Sequence, residues 1–285
     1  MTDLTGKTVV LTGAAGGLGG YISQQLVQAG AKVVGVDIAR SPLDAWCEKI
    51  LASGGQAVGY DWDLSKLETL ARLVETIERD CGPIDVLINN AGLASYRAFE
   101  DCTLAHMQAL IAVNLMAAME LTRLLLPGFR ARHQGHIVNV ASLAAKMAHP
   151  YDSVYAASKA GLLLWSDSLR QELIDSPIQI SVVCPGYIAE SGMFAKTELP
   201  APKLSGISHP SLVASGVLAA IRQNRAQLIV NQNLVGETSA KVTLAISQLI
   251  PGFGDWVSHA LGVPELNRQR AIARKQKSAT LSGLP

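Results

Sequence analysis

A tyrosine and a lysine four residues apart are the side chains of this sequence best suited to acid/base chemistry. Tyr155 and Lys159 open a helical pattern with a wide apolar face that continues through Leu162, Leu169 and Ile174, and residues four apart share one face of a helix. A phenol, with an ordinary pKa of about 10, is a poor base at neutral pH, but a neighbouring ammonium favours the phenolate. The pair is therefore suited to moving a proton to or from an alcohol oxygen. The alternative interpretation is a half-buried tyrosine and a lysine that reaches solvent, on an ordinary helix.

A glycine-rich turn between two apolar strands indicates a nucleotide-binding site early in the chain. Thr8–Leu11 is a short β-branched run, the turn Thr12–Gly20 follows it, and a helical pattern then runs to Gly30. The next strand ends in Asp37. In this arrangement the glycines let the backbone approach a pyrophosphate at the helix N-terminus, and the acid binds a ribose.

The carboxylate of Asp37 favours NAD over NADP as the dinucleotide. It would accept hydrogen bonds from both ribose hydroxyls of NAD, and it would repel the 2′-phosphate of NADP. Arg40 lies three residues further on and leaves an alternative open, because a guanidinium there could turn toward a 2′-phosphate. The other interpretation of Arg40 is a solvated charge in a loop.

Strands that alternate with helices predict an α/β fold with a doubly wound parallel sheet of the Rossmann type and three layers. We expect residues 1–285 to form one such domain, whose ligand lies at the carboxyl ends of the strands. After the first two, strands are predicted at Gln56–Tyr60, Ile84–Ile88, His136–Ala141, Ser181–Cys184 and Arg225–Val230.

The helices between these strands are predicted from apolar periodicity and flanking polar residues. Ser65 is a suitable N-cap for a helix over Lys66–Asp80. Thr103–Leu126 is a long apolar helix that carries Asn114. An amide in such a stretch must find hydrogen bonds or cost stability, so Asn114 marks either a helix kink or a polar relay.

Composition excludes several classes of function. The chain has 285 residues and a formal net charge of +1, which gives no electrostatic case for a nucleic-acid partner. Its four cysteines are widely spaced without a CxxC pair, so we expect neither a metal site nor a disulfide framework. The N-terminus does not resemble a signal peptide, and we expect a cytoplasmic protein without membrane contact.

In their order and spacing, these residues resemble the short-chain dehydrogenase/reductase family, in its shorter, single-domain subclass. The resemblance covers residues from about 5 to 190, although Gly13, Gly16 and Gly19 also fit the loop of the family's extended, epimerase-like subclass. The amide-rich segment after the fourth strand and the modest length favour the shorter one. The matching positions are Thr12, Gly13, Gly17, Gly19, Asp37, Asp63, Asn89–Gly92, Asn114, Ser142, Tyr155, Lys159, Pro185 and Gly186.

The resemblance implies roles for the catalytic residues. Tyr155 would be the acid/base on the substrate oxygen, and Ser142 would hydrogen-bond that oxygen. Lys159 would hold the nicotinamide ribose and lower the pKa of Tyr155, while Asn114 would anchor a water that passes protons to Lys159. The implied cofactor-binding residues are Gly13, Gly17, Leu18, Gly19, Asp37, Asp63, Leu64, Asn90, Ala91, Gly92, Tyr155, Lys159, Pro185, Gly186 and Ile188.

Three places depart from the family's pattern. One is the end of the candidate seventh strand Arg225–Val230, which lacks the Asp-Gly-Gly ending that many members place after their last strand. The threonine that usually follows the sixth strand and contacts the nicotinamide carboxamide is replaced by the segment Ala189–Ser191, in which Glu190 lies near that place and Ser191 is the candidate substitute. The loop before Tyr155 carries His149, which is either a second polar contact for the substrate or an exposed loop residue.

The C-terminal third of the chain is where the resemblance ends. Residues 190–210 are rich in Pro, Gly and Ser with interspersed apolar residues, which predicts a substrate lid and a lipophilic substrate. Residues 237–285 are a variable extension. Its amphipathic part, 237–261, would cap the pocket, pack on a partner subunit or touch a membrane surface, and the basic tail after it is expected to be a frayed, solvated end.

These observations predict an oxidoreductase that uses NAD(H), with NADP less favoured, to interconvert a secondary alcohol and a ketone. One alternative is an epimerase or dehydratase on the same scaffold. The other is an NAD-binding redox sensor or scaffold without turnover. The long apolar helix faces Leu110–Leu126 and Leu162–Ile174 predict a homodimer or homotetramer.

Overall fold

The computed structural model describes residues 2–38, 40–94, 96–189, 207–231, 242, 244–247 and 249–282. Within them, seven parallel strands form one sheet in the order β3-β2-β1-β4-β5-β6-β9, and β7 pairs separately with β8. The predicted doubly wound sheet is confirmed. The strands are β1 (Thr8–Thr12), β2 (Lys32–Asp37), β3 (Gln56–Asp61), β4 (Val86–Asn89), β5 (Gly135–Val140), β6 (Ile178–Pro185), β7 (Tyr187–Ile188), β8 (Ile207–Ser208) and β9 (Gln227–Val230).

Helices cover both faces of the sheet, because successive strand residues point to opposite sides. Val9 and Leu11 pack with α1, α2 and α7, whereas Val10 packs with α3 and α5 and Val182 with α6. The three layers thus share apolar strands buried on both faces, as a parallel sheet requires. The helices are α1 (Gly17–Gln28), α2 (Arg40–Ala52), α3 (Leu70–Cys81), α4 (Leu104–Ile111), α5 (Ala117–Ala131), α6 (Ser153–Glu172) and α7 (Pro210–Gln223), followed by Pro251–Ala260 and the C-terminal helix Val263–Ser282.

The stretch Leu104–Ala131 is one continuous helix, interrupted by a π-helical turn at Ala112–Met116. Thr103 caps its start by accepting a hydrogen bond from the amide of His106. Its length and composition would allow it to cross a membrane, but the core helix of a soluble protein meets the same criteria, and α5 packs against α3 and β5. The π turn places an irregularity of the helix at Asn114, where the sequence left a kink or a polar relay open.

Two local predictions were wrong. Ser65 does not cap a helix: its amide and hydroxyl both donate to the carboxylate of Asp63, at 2.9 and 2.7 Å, and α3 begins only at Leu70. The basic tail is not a frayed end either. It forms the C-terminal helix, in which Asn267 and Arg270 are buried, because partners from distant loops surround its polar side chains.

Candidate active site

A cavity of about 1200 Å³ lies at the carboxyl ends of the strands. One end is lined by the glycine-rich turn, the centre by residues after β5 and on α6, and the other end by residues 253–258. The cavity therefore joins the predicted cofactor loop, the predicted catalytic residues and the C-terminal extension. The predicted site residues on its wall are Gly13, Gly17, Leu18, Gly19, Asp37, Asp63, Leu64, Asn90, Ala91, Gly92, Ser142, Tyr155, Lys159, Pro185, Gly186 and Ile188.

The glycine-rich turn forms a cradle in which side chains do not fit. Gly13 has a φ of +68°, and a Cβ there would lie 2.9 Å from the Cα of Ala91. A Cβ on Gly19 would overlap the carbonyl oxygen of Gly13 and lie 2.7 Å from that of Ala14. The first turn of α1 carries no acidic residue, so its N-terminus is free to attract an anion. The residues present thus fit a pyrophosphate.

Thr12 and Asn90 fix the shape of this cradle. The Asn90 side-chain amide donates to the carbonyl oxygens of Thr12 and Gly13 at 3.0 and 3.1 Å. In return, the Thr12 hydroxyl accepts from the amides of Asn90 and Ala91, both at 3.0 Å. Thr12 belongs to the motif that carries the family resemblance, but the sequence analysis gave it no role; a hydroxyl at the end of an otherwise apolar strand was the signal for one.

Asp37 and Asp63 occupy the adenosine end of the cavity. The Asp37 carboxylate accepts from the amides of Ala15 at 2.9 Å and Ile38 at 2.8 Å, which holds it against the cradle. Hydrogen bonds from Ser65 hold the pKa of Asp63 below its usual value. Leu64, between Asp63 and Ser65 in the sequence, is buried. This end therefore combines a fixed carboxylate with an apolar surface, which suits a ribose and an adenine.

Arg40 forms an ion pair with Asp44 at 3.0 Å, and both side chains are more than half exposed. In this arrangement its guanidinium is engaged on the outer side of α2. The interpretation of Arg40 as a solvated surface charge fits this geometry better than the alternative of a 2′-phosphate ligand.

Tyr155 and Lys159 stand one turn apart on α6 and are buried, with exposed fractions of 9% and 3%. The Lys159 ammonium donates to the carbonyl oxygen of Val140 at 2.8 Å and lies 6.0 Å from the centre of the Tyr155 ring. Burial lowers the pKa of Lys159 to about 8. The lysine therefore keeps a charge near neutral pH while it remains close to the phenol.

Burial raises the pKa of Tyr155 to about 12, and a hydrogen bond from the Ser142 side chain opposes that rise. The phenol is therefore protonated at neutral pH. Such a group can give a proton to a carbonyl oxygen. The further lowering of its pKa by Lys159 stays a prediction.

Asn114 lies behind the cavity wall, in the π turn. Its side chain donates to the carbonyl oxygen of Leu93 at 2.9 Å and to the Ser158 hydroxyl at 3.0 Å, and it accepts from the Leu93 amide at 2.7 Å. A Cβ on Gly92 would lie 3.3 Å from Asn114 Oδ1 and 3.5 Å from Lys159 Nζ. Gly92 therefore preserves the narrow space between the amide and the ammonium, and the water relay stays a prediction.

A buried polar chain beneath the site was also missed by the sequence analysis. Asn89 donates to Asn139 at 2.8 Å, and Asn139 donates to the Ser166 hydroxyl at 2.8 Å. It ties β4, β5 and α6 together under the catalytic residues. Amides within two apolar strands were the available signal, because a buried amide must be paired.

Some predictions fall outside the described residues. They concern Glu190 and Ser191 near the expected carboxamide contact, and most of the lid predicted over residues 190–210, of which only 207–210 are described. Among the described residues, no three His, Cys, Asp or Glu side chains come together as a metal site would require.

The sequence profile of the short chain dehydrogenase family matches residues 7–200, and this chain belongs to that family. The ketoacyl reductase HetN of Nostoc sp. is 47% identical over 274 residues, which cover 96% of each protein. The acetoacetyl-CoA reductase of Shinella zoogloeoides is 36% identical over 186 residues, 64% of this chain and 74% of that protein. A metagenomic short-chain oxidoreductase solved in complex with NADP is 31% identical, with a TM-score of 0.70 over 82% of this chain and 100% of its own.

Together, the family and the site define an NAD(P)-dependent oxidoreductase that acts on a CH–OH or C=O group. The choice between NAD and NADP and the identity of the substrate depend on residues that are particular to this chain.

Proposed function

We propose that the protein reduces a ketone of a lipophilic 3-oxoacyl compound to the secondary alcohol, with NADH as the preferred reductant. The observation that carries this proposal is the meeting of Ser142, Tyr155 and Lys159 with the glycine cradle on one cavity. A protein that only binds the cofactor would need the cradle alone. A buried proton donor beside the cradle is needed only for a reaction.

The proposed mechanism assigns one task to each side chain. Ser142 hydrogen-bonds the carbonyl oxygen, and the Tyr155 phenol gives that oxygen its proton. Lys159 holds the nicotinamide ribose and, through its charge, stabilises the phenolate that remains. The nicotinamide, when bound, supplies the hydride to the carbonyl carbon. Positioning of both reactants accounts for much of the acceleration.

The preference for NAD rests on the residues around the adenosine ribose. The Asp37 carboxylate lines the cavity, and a negative charge there disfavours a 2′-phosphate. The turn Thr12–Gly20 holds no basic residue, and Arg40 is paired with Asp44. All three features support NAD over NADP.

The 3-oxoacyl substrate is inferred from two observations. The relative that matches nearly the whole chain is named a ketoacyl reductase. The far end of the cavity also offers apolar side chains, Leu244, Phe253, Trp256, Leu261 and Val263, beside the polar Asp255 and Ser258. An alkyl chain attached to the reacting carbonyl would be removed from water there.

The test is the absorbance change of NADH and NADPH with a panel of ketones. The panel contains 3-oxoacyl thioesters of increasing chain length, simple alkyl ketones and cyclic ketones. We expect turnover with NADH and a kcat/KM that rises with acyl chain length. Tight NADH binding without turnover of any ketone would contradict the proposal and favour the sensor.

We further propose a cytoplasmic homodimer or homotetramer. Leu164 on α6 and Met116 in the π turn are exposed by 69% and 41%, and covering such residues is a common reason for association. Light scattering coupled to size exclusion would measure the mass in solution. A monomer at micromolar concentration would contradict the assembly without affecting the proposed reaction.

A further inference from the structure

The imidazole of His149 lines the same cavity as Tyr155. It lies between two tyrosines, with ring centres 6.0 Å from Tyr96 and 6.4 Å from Tyr187. Within the described part of the chain, no side chain or backbone group hydrogen-bonds to its ring nitrogens. The imidazole is half-buried and its ring nitrogens are not sealed from solvent, so its donor and its acceptor are open to a ligand in the cavity.

The loop that carries His149 is held in an uncommon conformation. Tyr96 and Tyr151 both have positive φ, 41° and 60°, which costs energy for residues with a side chain. They belong to two loops that are joined by hydrogen bonds: the Arg97 amide donates to the Tyr151 carbonyl at 2.6 Å, and the Tyr96 amide donates to Asp152 at 3.2 Å. Positive φ angles at two such residues persist only where contacts with neighbouring residues stabilise them.

The C-terminal helix provides those surroundings. Asn267, which is fully buried, donates from its side chain to the Pro150 carbonyl at 2.9 Å. Arg274 donates to the Ala94 carbonyl at 3.0 Å, and Lys275 pairs with Asp101 at 2.9 Å. One helix thus contacts both loops.

Arg270 is the residue of this helix that reaches the aromatic side chains. It is 2% exposed, and its guanidinium lies 5.4 Å from the centre of the Tyr96 ring and 5.9 Å from that of Tyr187. These are distances at which a cation is attracted to a ring. Asp152, which is also buried, offsets its charge within the same cluster.

We propose that His149 is a specificity residue that hydrogen-bonds a second, neutral oxygen of the substrate, and that Arg270 is the positioning residue that holds it there. The inference rests on the proposed reaction: the first oxygen is the ketone at Ser142 and Tyr155, and the second is the thioester carbonyl of a 3-oxoacyl group. Burial, together with the charge of Arg270, lowers the pKa of His149 to about 4, so the imidazole is neutral at pH 7. A neutral imidazole suits a carbonyl better than it suits a carboxylate.

The experiment compares two substrates on the full-length protein. One is a 3-oxoacyl N-acetylcysteamine thioester, and the other is an alkyl ketone of equal length without the thioester carbonyl. Removing a hydrogen bond to a bound substrate raises KM more than it lowers kcat. For His149→Phe we expect about a tenfold or greater loss of kcat/KM on the thioester, mostly in KM, and a loss below about threefold on the alkyl ketone.

Variants of the C-terminal helix test the positioning role. Arg270→Met should reproduce the selective loss on the thioester, and Arg270→Lys should restore part of it because a cation is present again. Arg268→Met is the matched control, since Arg268 is half exposed and pairs with Glu265 on its own helix. It should behave as the wild type on both substrates. If Arg270→Met does not fold, as judged by thermal unfolding, Arg270→Lys and His149→Phe still carry the comparison.

The outcomes separate this inference from the proposed function. Equal losses on both substrates in His149→Phe would mean a structural role and would overturn the inference. So would a wild type that reduces both ketones with the same kcat/KM, which would leave the oxidoreductase proposal standing. A wild type that reduces neither would overturn both.

Discussion

The two ends of the cavity are built in different ways. The cofactor end is formed by backbone: glycines that admit no Cβ, and one threonine and one asparagine that hold the turn. The substrate end is formed by side chains from segments far apart in the chain, with His149 from the loop before α6 and Arg270 from the last helix. The backbone cradle depends on a few residues that are close in the sequence. The wall of side chains forms only when several segments that are distant in the sequence pack together correctly.

The difference between the two ends of the cavity is also seen in how much of the chain its relatives cover. The family profile ends at residue 200, before the C-terminal helix begins. The relative that is 47% identical covers 96% of this chain, but the acetoacetyl-CoA reductase covers 64%. The cofactor end can therefore be compared across the whole family, whereas the contribution of the C-terminal helix to the substrate end can be compared only with relatives that cover the full chain.

The largest expected effect lies where the two ends meet. Tyr155→Phe removes the proton donor, and we expect kcat to fall by about 10²- to 10⁴-fold on every ketone, with a much smaller loss of NADH affinity because only one hydroxyl of the cofactor-binding set is removed. Steady-state kinetics and calorimetric titration with NADH measure the two quantities. Tyr60→Phe, which removes a hydroxyl that donates to Asp80, is the control. Turnover that survives in Tyr155→Phe would refute the mechanism.

The next prediction tests the backbone cradle. Gly19→Ala places a Cβ against the carbonyl oxygen of Gly13, whereas Gly20→Ala meets nothing within 4 Å. We expect Gly19→Ala to weaken NADH binding by at least about tenfold, since the peptide units near the pyrophosphate must shift. Gly20→Ala should bind as the wild type. Equal affinities in a fluorescence titration would show that the cofactor end is not set by backbone contact.

A smaller effect is expected from the charge at the cofactor end. Asp37→Asn removes the negative charge and keeps the size of the side chain, so the preference of kcat/KM for NADH over NADPH should fall by about tenfold. The exposed Asp175→Asn is the matched control. An unchanged preference would mean that Asp37 does not face the ribose, and the dinucleotide choice would have to be assigned to other residues.

The smallest effect concerns the sheet that both ends share. His136 on β5 is fully buried and contacts the Ser181 hydroxyl at 2.9 Å. Burial lowers its pKa to about 3, so below about pH 6.5 the unfolded chain binds a proton that the folded chain does not. The free energy of unfolding should therefore fall as the pH drops from about 6.5 toward 3, by up to about 1.4 kcal/mol per pH unit for this group.

Urea unfolding at pH 7 and pH 5 measures that loss in the wild type and in His136→Gln. The variant should lose less stability between the two pH values, whatever its stability at pH 7. His149 adds a loss of the same sign, because its pKa is also lowered. Identical losses in both proteins would show that His136 does not titrate as its burial implies.

Sequence patterns predicted the parts of this structure that depend on neighbouring residues. The strands, the glycine-rich turn and the pairing of Tyr155 with Lys159 on one helix follow from periodicity and spacing. Ser65 was assigned wrongly because the carboxylate of Asp63 competed for its hydrogen bonds, and propensity alone does not show which partner prevails.

The C-terminal helix was beyond prediction for a different reason. Its charges resemble those of a solvated tail, and the carbonyl oxygens of Ala94 and Pro150 that receive its side chains lie far away in sequence. No local pattern records such partners. The open ring nitrogens of His149 likewise become visible only when the loops are folded against each other.

The position of Arg270 near the end of the chain also sets an order of events during synthesis. At about 5–20 residues added per second, the strands β1 to β5 and the dinucleotide cradle leave the ribosome well before the last helix. A nascent chain can thus acquire its cofactor end while the substrate wall is still missing. A chain truncated before Val263 should accordingly bind dinucleotide without selecting among ketones.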